Sequence, residues 1–274
     1  MEDWRRLARR AAELLAGARH AIALTGAGVS TASGIPDFRG PRGLWRRVPS
    51  YKFSIDYFLQ SPGEVWRLYY ERFRGLQQVE PNPSHYALAR LEEEGVLRAV
   101  ITQNIDGLHQ RAGSRRVIEL HGTMKHAVCL QCGRTYPIGE ALRQVEQGGL
   151  PRCKYCGGLL KPAVVMFGEP LPGGALSEAF MLAERSDVVL VAGSSLYVSP
   201  ANQIPVVAKA RGAKIIIVNL GEVFLDVGDI NIQAPTEKAL PLICEETMSI
   251  LGKPLEGCRG PRESEDKEAP APEK

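Results

Sequence analysis

Long apolar runs are absent from this 274-residue sequence, and no stretch approaches the roughly 20 residues that a bilayer-spanning helix needs. A strong charge bias is absent too, since 34 basic residues oppose 31 acidic residues and leave a net charge of +3. We therefore expect no membrane partner. The mild positive charge does not require a nucleic-acid partner, although it is compatible with a chromatin or nucleic-acid-associated protein as substrate.

Targeting signals are also missing from the first residues. The segment at 1–20 is Arg-rich and amphipathic, with its apolar residues on one helical face. Glu2, Asp3 and Glu13 argue against a transit peptide, and the segment contains no apolar stretch of the secretory type. We therefore predict a surface-packed helix and a cytoplasmic protein.

Cysteine is scarce, but its spacing is informative. Of six cysteines, two stand alone, Cys244 and Cys258, and four form Cys-x-x-Cys pairs, Cys129/Cys132 and Cys153/Cys156. In a chain without a secretory signal, paired spacing favours metal binding over disulfides. Four thiolates from two knuckles match a tetrahedral Zn²⁺ ion with no open position, and thus a structural role. A redox dithiol is the alternative.

Short apolar runs alternate with amphipathic segments. Four runs lead directly into small or polar residues: 21–25 before Gly26, 97–102 before Gln103, 187–192 before Gly193, and 214–218 before Asn219. Helical patterns lie between them, at 84–95, 174–186 and 200–212, the first with a start signal at 82–84. Strands that alternate with helices predict a parallel sheet, which binds ligands at the carboxyl ends of its strands.

The predicted fold class is α/β, with a Rossmann-like parallel-sheet domain and a smaller inserted zinc-binding plus helical domain. The Rossmann-like domain comprises residues 1–40, 81–121 and 162–256. Residues 41–80 are assigned to the helical insert and residues 122–161 to the zinc-binding insert, with boundaries good to a few residues. The charged segment 257–274 is predicted to be a disordered tail.

A glycine-rich loop follows the first predicted strand. Gly26-Ala27-Gly28 resembles the start of a dinucleotide fingerprint, in which backbone N–H groups approach a pyrophosphate. An ordinary tight turn is the alternative. Thr31 replaces the third glycine, and no acidic residue ends a strand about 20 residues later, which disfavours a hydride-transferring dehydrogenase.

Six motifs in a fixed order are more specific. They are GAGVSTASGIPDFRG at 26–40, TQNIDGLHQRAG at 102–113, ELHG at 119–122, FGE at 167–169, GSS at 193–195 and VN at 218–219. Through them the sequence from about residue 20 to 245 resembles the sirtuin family, and in particular its bacterial and archaeal members. The resemblance implies an NAD-dependent protein-lysine deacetylase that uses NAD as co-substrate and releases nicotinamide and O-acetyl-ADP-ribose.

The resemblance also implies roles for individual residues. His121 is the expected general base on a ribose hydroxyl, and an imidazole suits that task because its usual pKa lies near neutrality. Asn104 is expected to orient the ribose or a water molecule. The expected cofactor-binding residues are Gly26, Ala27, Gly28, Thr31, Asp37, Phe38, Arg39, Gln103, Ile105, Asp106, Gly193, Ser194, Asn219, Leu220 and Lys238. His109 is interpreted as structural.

The expected substrate is an acyl-lysine protein or peptide, added as an extra strand between residues 164–169 and 195–199. Val165, Phe167 and Gly168 are expected to contact it. Tyr69 and Arg72 resemble a Tyr-x-x-Arg pair that binds succinyl- or malonyl-lysine through an Arg–carboxylate contact. The alternative for that pair is an exposed helical face.

Other functions stay open at the level of sequence. One is a desuccinylase or demalonylase on the same site, and another is a mono-ADP-ribosyltransferase. A third is a non-catalytic NAD-sensing module, against which the presence of His121 and Asn104 argues.

Overall fold

The computed structural model describes residues 3–40, 43–76 and 78–261. Of the tail expected at 257–274, the part from residue 262 onward lies outside the described residues. The helices are α1 Trp4–Ala16, α2 Ile55–Gln60, α3 Pro62–Leu76, α4 Pro83–Glu93, α5 Leu108–Arg111, α6 Ile138–Glu146, α7 Gly173–Arg185, α8 Gln203–Ala210 and α9 Thr236–Ile250. The strands are β1 Ala21–Thr25, β2 Leu97–Thr102, β3 Val117–Glu119, β4 Gly122–Cys129, β5 Thr135–Pro137, β6 Leu160–Val164, β7 Val188–Ala192, β8 Lys214–Val218 and β9 Ile230–Ile232.

Six strands form a parallel sheet in the order β3-β2-β1-β7-β8-β9. The four apolar runs of the sequence are its four central strands, β2, β1, β7 and β8. Strands β2 and β3 lie on one side of β1, and the later strands β7, β8 and β9 lie on its other side. The gap between the ends of β1 and β7 is therefore the switch point at which such sheets bind ligands.

Helices cover both faces of this sheet, as the alternating pattern predicts. Along β1, Ala21 and Ala23 contact a core that includes α1, α4 and α9. The intervening Ile22 and Leu24 contact the opposite core, which includes α7 and α8. Both faces of the strand are buried, and this explains why β1 is a continuous apolar run.

The start signal before α4 functions as expected. The Asn82 side chain accepts a hydrogen bond from the Ser84 N–H at 2.8 Å, and the His85 side chain accepts one from the Asn82 N–H at 3.2 Å. These contacts form a capping box, with Pro83 at the first helical position.

A second, smaller core lies beside the parallel sheet. Strands β5, β4 and β6 form a separate antiparallel sheet, against which α2, α3 and α6 pack. The indole N–H of the buried Trp66 donates to the Leu160 carbonyl at 2.9 Å, and so joins α3 to β6. Residues of both predicted inserts therefore share this core.

The structure corrects two expectations about cysteine and the C-terminal region. Cys244 and Cys258 do not stand alone, because they form a disulfide. Cys258 is completely buried against α9, so the described residues from Gly257 to Pro261 are held against the domain rather than free of it. The sequence pattern also missed β9, which has only three residues.

Among the residues that the structure describes, no helix combines the length and hydropathy needed to cross a bilayer.

The disulfide yields a stability prediction. Cys244 and Cys258 are separated by 14 positions, and closing a loop of this length in the unfolded chain stabilises the fold by about 3 kcal/mol. We expect Cys258→Ser to lower the thermal midpoint by roughly 5–10 °C, measured by calorimetry. A phosphine reductant should lower the wild-type midpoint similarly and leave the variant unchanged. An unaltered wild-type midpoint under reduction would show that the bond contributes nothing.

Candidate active site

Backbone contact between two glycine-containing loops forms the floor of the site. The Gly28 N–H donates to the Gly193 carbonyl at 2.8 Å, across the switch point between β1 and β7. A Cβ on Gly28 would lie 2.6 Å from the Gly193 Cα, and one on Gly193 would lie 2.4 Å from the Val29 nitrogen. Only glycine permits this approach, which leaves a side-chain-free floor of the kind that a pyrophosphate requires.

The segment after Gly26 differs from a standard dinucleotide fingerprint. It forms a 3₁₀ helix at Ala27–Ser33 instead of opening a long α-helix. The Thr31 hydroxyl donates to the Gly28 carbonyl at 3.0 Å, so the residue at the third glycine position closes the turn with its side chain.

His121 lies just beyond the carboxyl end of β3, at the same edge of the sheet. Its Nδ1 lies 2.9 Å from the Gln103 carbonyl oxygen, which can only accept, so Nδ1 carries the proton. Nε2 is then the basic nitrogen, and within the described ranges it has no hydrogen-bond partner. Burial lowers the pKa of His121 below its usual value, opposed by the Gln103 hydrogen bond, and thus favours a neutral imidazole able to accept a proton.

Asn104 and Asp106 follow β2 and meet at Ser30. The Asn104 amide nitrogen lies 3.1 Å from the Ser30 hydroxyl and 3.1 Å from the Gly26 carbonyl. The Ser30 hydroxyl donates to Asp106 at 2.8 Å, and the Leu108 N–H donates to the other Asp106 oxygen at 2.9 Å. Burial raises the pKa of Asp106, although these donors oppose it. The short polar groups are thus fixed before any ligand binds.

Sequence reasoning missed Ser30, which links these two residues. It lies inside the quoted glycine motif, and its small hydroxyl between two glycines was the available signal. Thr236 was missed as well. Its hydroxyl lies 3.3 Å from the Gly28 carbonyl and 3.0 Å from the Ser84 hydroxyl, and so fixes the start of α9 against the glycine loop. No motif in the sequence pointed to this long-range contact.

A buried histidine pair lies behind this network. The His109 Nε2 is 2.9 Å from the Thr25 hydroxyl, and its ring makes an edge contact with His85 at 5.0 Å between centroids. His109 is almost fully buried, and burial lowers its pKa well below the usual value. These contacts agree with the structural interpretation of His109.

The remaining expected cofactor residues follow other strands, except Lys238, which lies in a helix. Ser194, after β7, accepts from the Gln103 side chain at 3.1 Å, and the Asn219 N–H, after β8, donates to Ile232 at 3.1 Å. Leu220 is exposed next to Asn219. Lys238 lies in the first turn of α9, beyond Thr236.

An aromatic wall borders the site on the side of the helical insert. Asp37 accepts from the Gly40 N–H at 3.0 Å and shapes the turn that follows Phe38. The Phe38 ring lies 5.3 Å from that of Trp45, which lies 5.8 Å from that of Phe167. Ile105 is partly buried against the same small-domain core. Phe38, Trp45 and Phe167 thus form a row of three neighbouring rings.

The expected peptide-binding segment is held by an ion pair between the buried Lys161 and the partly buried Glu169. The Lys161 ammonium donates to Glu169 at 3.0 Å and to the Val164 carbonyl at 2.6 Å, while Glu169 accepts from the Met166 N–H at 2.8 Å. These bonds fix the turn that contains Val165, Phe167 and Gly168. Phe167 itself is 46% exposed, so its ring is available to a ligand.

Tyr69 and Arg72 do not form the exposed helical pair that was the alternative interpretation. Tyr69 is buried, and burial raises the pKa of its phenol to about 12. The Arg72 guanidinium lies over the Phe53 ring at 5.7 Å from its centroid, and burial lowers its pKa. No carboxylate in the described part of the chain forms an ion pair with Arg72.

The four paired cysteines converge at one end of the small antiparallel sheet. Their sulfur atoms, on Cys129, Cys132, Cys153 and Cys156, all lie within 4.8 Å of one another. The separations of 3.5 Å for Cys129–Cys156 and 3.7 Å for Cys132–Cys153 are close to the roughly 3.8 Å edge of a tetrahedron with Zn–S bonds near 2.3 Å. The donor set therefore fits a zinc ion.

Comparisons with known proteins agree with this geometry. A model of the Sir2 family matches residues 26–200. The "NAD-dependent protein deacetylase 1" of Pyrobaculum aerophilum is 54% identical over 88% of this chain and 94% of its own length. The "NAD-dependent protein deacylase 2" of Archaeoglobus fulgidus is 49% identical over 88% of this chain and 96% of its own. A solved "Sir2-p53 peptide-NAD+" structure superposes with a TM-score of 0.80 at 41% identity, over 88% of this chain and 96% of that one.

The environment of His121 predicts its titration. Burial disfavours the imidazolium, so the pKa should lie below the usual 6.5 and the ring should be neutral throughout the neutral range. We expect an NMR titration, with the resonance assigned by its loss in His121→Gln, to give a midpoint below pH 6.5. A midpoint at or above that value would contradict the buried, carbonyl-bonded arrangement.

Proposed function

Because this chain belongs to the Sir2 family, we propose that it is an NAD-dependent protein-lysine deacetylase, which releases free lysine, nicotinamide and O-acetyl-ADP-ribose. The observation that carries the proposal is the state of His121. Its Nδ1 lies 2.9 Å from the Gln103 carbonyl oxygen, which leaves Nε2 as the basic nitrogen at the ligand-binding edge of the sheet, and burial lowers the pKa of the ring and so favours its neutral form.

The residues present fit NAD as a co-substrate. The floor formed by Gly26, Gly28 and Gly193 would leave space for the pyrophosphate, because no side chain extends from these three residues. Asn104 and Asp106 would hold the ribose and the nicotinamide amide. When bound, NAD supplies an electrophilic ribose carbon to the oxygen of the acyl-lysine carbonyl.

His121 then acts as the general base in this proposal. Its Nε2 accepts the proton of a ribose hydroxyl, while the Gln103 carbonyl stabilises the imidazolium through Nδ1. Phe38 and the adjoining aromatic rings exclude water from the reacting carbon, which would otherwise be hydrolysed. Phe167 and Val165 line the path of the lysine side chain, and the backbone of residues 164–168 pairs with the peptide.

We assign the zinc ion to Cys129, Cys132, Cys153 and Cys156. Four sulfur ligands leave no coordination position for a substrate, so the ion supports the small domain and takes no part in the reaction. We further propose a cytoplasmic location, which the four unbridged thiols of Cys129, Cys132, Cys153 and Cys156 favour. The Cys244–Cys258 disulfide does not oppose it, because intracellular proteins of hyperthermophiles also contain disulfides. The mild net positive charge of +3 is the support for a chromatin or nucleic-acid-associated substrate.

The test of the main proposal is a mass-spectrometric assay with an acetyl-lysine peptide and NAD. Wild type should yield the deacetylated peptide, nicotinamide and O-acetyl-ADP-ribose. His121→Ala should lower kcat by at least about a hundredfold, since a general base contributes 10²–10⁴. ADP-ribose attached to the peptide would indicate a transferase instead, and an unchanged rate in the variant would overturn the role of His121.

A second activity, removal of acidic acyl groups, is favoured by Arg72. Its guanidinium is partly buried near Tyr69 without an ion-pair partner among the residues the structure describes. A buried cation is costly unless it is paired, and a succinyl or malonyl carboxylate would pair with it. Relatives named as deacylases, such as that of Archaeoglobus fulgidus, are compatible with a wider acyl range.

Arg72 can be tested with acetyl- and succinyl-lysine peptides of one sequence. We expect Arg72→Met to lower kcat/KM for succinyl-lysine by roughly 10- to 100-fold, the value of a charge-assisted hydrogen bond, and to change the acetyl reaction much less. Arg74→Met, two positions along α3 and exposed, serves as the control. Equal losses of kcat/KM on the two peptides would show that Arg72 has only a structural role.

A further inference from the structure

An arginine at the mouth of the cleft is held between two aromatic rings. The Arg39 guanidinium carbon lies 4.3 Å from the centroid of the Trp45 ring and 4.6 Å from the centroid of the Tyr197 ring. Both distances are well inside the roughly 6 Å range of cation–π attraction. The sequence indicated neither contact, because Tyr197 is remote from Arg39 along the chain.

The two rings belong to opposite sides of the cleft. Trp45 packs against the core of the smaller domain, together with Phe38 and Phe167. Tyr197 follows β7 in the larger domain, within the expected peptide-binding segment. Arg39 therefore connects the loop after the glycine motif to the segment on the far side of the cleft.

Tyr197 is supported from behind by a second ring. Phe224 makes an edge contact with it at 5.3 Å between centroids, and the Phe224 N–H donates to the Ser195 carbonyl at 2.8 Å. Both rings stay largely exposed, Tyr197 at 58% and Phe224 at 65%. Two exposed aromatic side chains thus help to hold one guanidinium, Tyr197 directly and Phe224 through Tyr197. Packing of the protein core does not require this arrangement.

Arg39 has no competing partner in the parts of the chain that are described. No carboxylate there forms an ion pair with it, and its guanidinium donates no hydrogen bond to the described residues. The rings are therefore what fixes its side chain.

We propose that Tyr197 is a positioning residue, which holds the loop at residues 37–40 over the cleft by clamping Arg39 against Trp45. The inference rests on the proposed function in one respect, that the loop covers the NAD site. Loss of the Tyr197 ring should let the loop open more often, so that NAD binds less tightly while the reaction at His121 keeps its rate once both substrates are bound. The clamp also joins the cofactor loop to the peptide segment. Binding of NAD or of the peptide can therefore favour the loop position that the other ligand requires.

The clamp can be tested without turnover, by limited trypsin digestion of the intact protein. Arg39, Arg46 and Arg47 provide cleavage sites in or beside the loop, and mass spectrometry identifies cuts there. Cleavage of a transiently opened segment follows the population of its open form. We expect Tyr197→Ala to accelerate these cuts by about two- to fivefold, the factor that corresponds to one exposed cation–π contact.

Two control variants separate the clamp from general loosening. Tyr197→Phe keeps the ring and should restore slow cleavage. Tyr51→Ala removes another tyrosine of equal exposure, 57%, which makes a similar ring contact with Tyr57 at 5.3 Å but does not contact Arg39. The Tyr51→Ala variant should be cleaved at the wild-type rate.

Kinetics supply the second measurement. With the acyl-peptide at saturation, so that any effect on peptide binding is removed, Tyr197→Ala should raise KM for NAD about two- to fivefold with kcat little changed, and Tyr197→Phe should reverse the effect. Cleavage of Tyr197→Ala at the wild-type rate, or a Phe variant as impaired as the Ala variant, would overturn the clamp. A wild-type protein inactive on every acyl-peptide would instead overturn the proposed function, and the digestion would still decide whether Tyr197 holds the loop.

Discussion

Backbone contact at the switch point of the parallel sheet is the constraint on which the site depends. Gly28 and Gly193 approach so closely that neither position tolerates a Cβ, and Gly193 adopts a φ of +59°. Because β1 and β7 pair directly, this contact fixes the position of the floor relative to the polar groups around it. His121 and Asn104 come from the next strands of the same ladder, so their positions relative to that floor follow from the hydrogen-bonded register of the sheet.

The polar groups beneath the floor are buried or partly buried and are hydrogen-bonded to one another, although the buried Nδ1 of His109 has no partner among the described residues. Ser30 bonds to both Asn104 and Asp106, while Thr25 bonds to Thr102 and His109. Burying these groups unpaired would cost several kcal/mol, whereas as a connected network they rigidify the region. The site therefore needs little reorganisation before substrates bind, apart from the loop that carries Phe38 and Arg39.

The fold was largely predictable from the sequence, because the strands of a buried parallel sheet are continuous apolar runs with small residues at their ends. The four central strands and helix α4 occur where those patterns placed them. Strand β9 was not predictable, since three residues give no periodicity. The pairing of Cys244 with Cys258 was missed because two isolated cysteines do not reveal that helix α9 and the chain beyond it lie side by side.

The sequence indicated which chemical groups the site contains better than it indicated the contacts between them. His121, Asn104 and the cysteine pairs belong to local motifs, and those motifs could be recognised one at a time. Ser30, Thr236 and the rings around Arg39 act through contacts between distant segments, which only the folded chain brings together. The assignment of individual residues to NAD or peptide stays a prediction for the experiments described above.

The path of the chain after the disulfide matters for handling this protein. Pro261 and Gly257 line a groove with Gly95 and Leu97, at the amino end of β2, whereas the candidate active site is at the carboxyl ends of the strands. An affinity label inserted directly after Pro261 would therefore start from the face opposite the cleft. A protein immobilised in this way would present its substrate entrance to the solution.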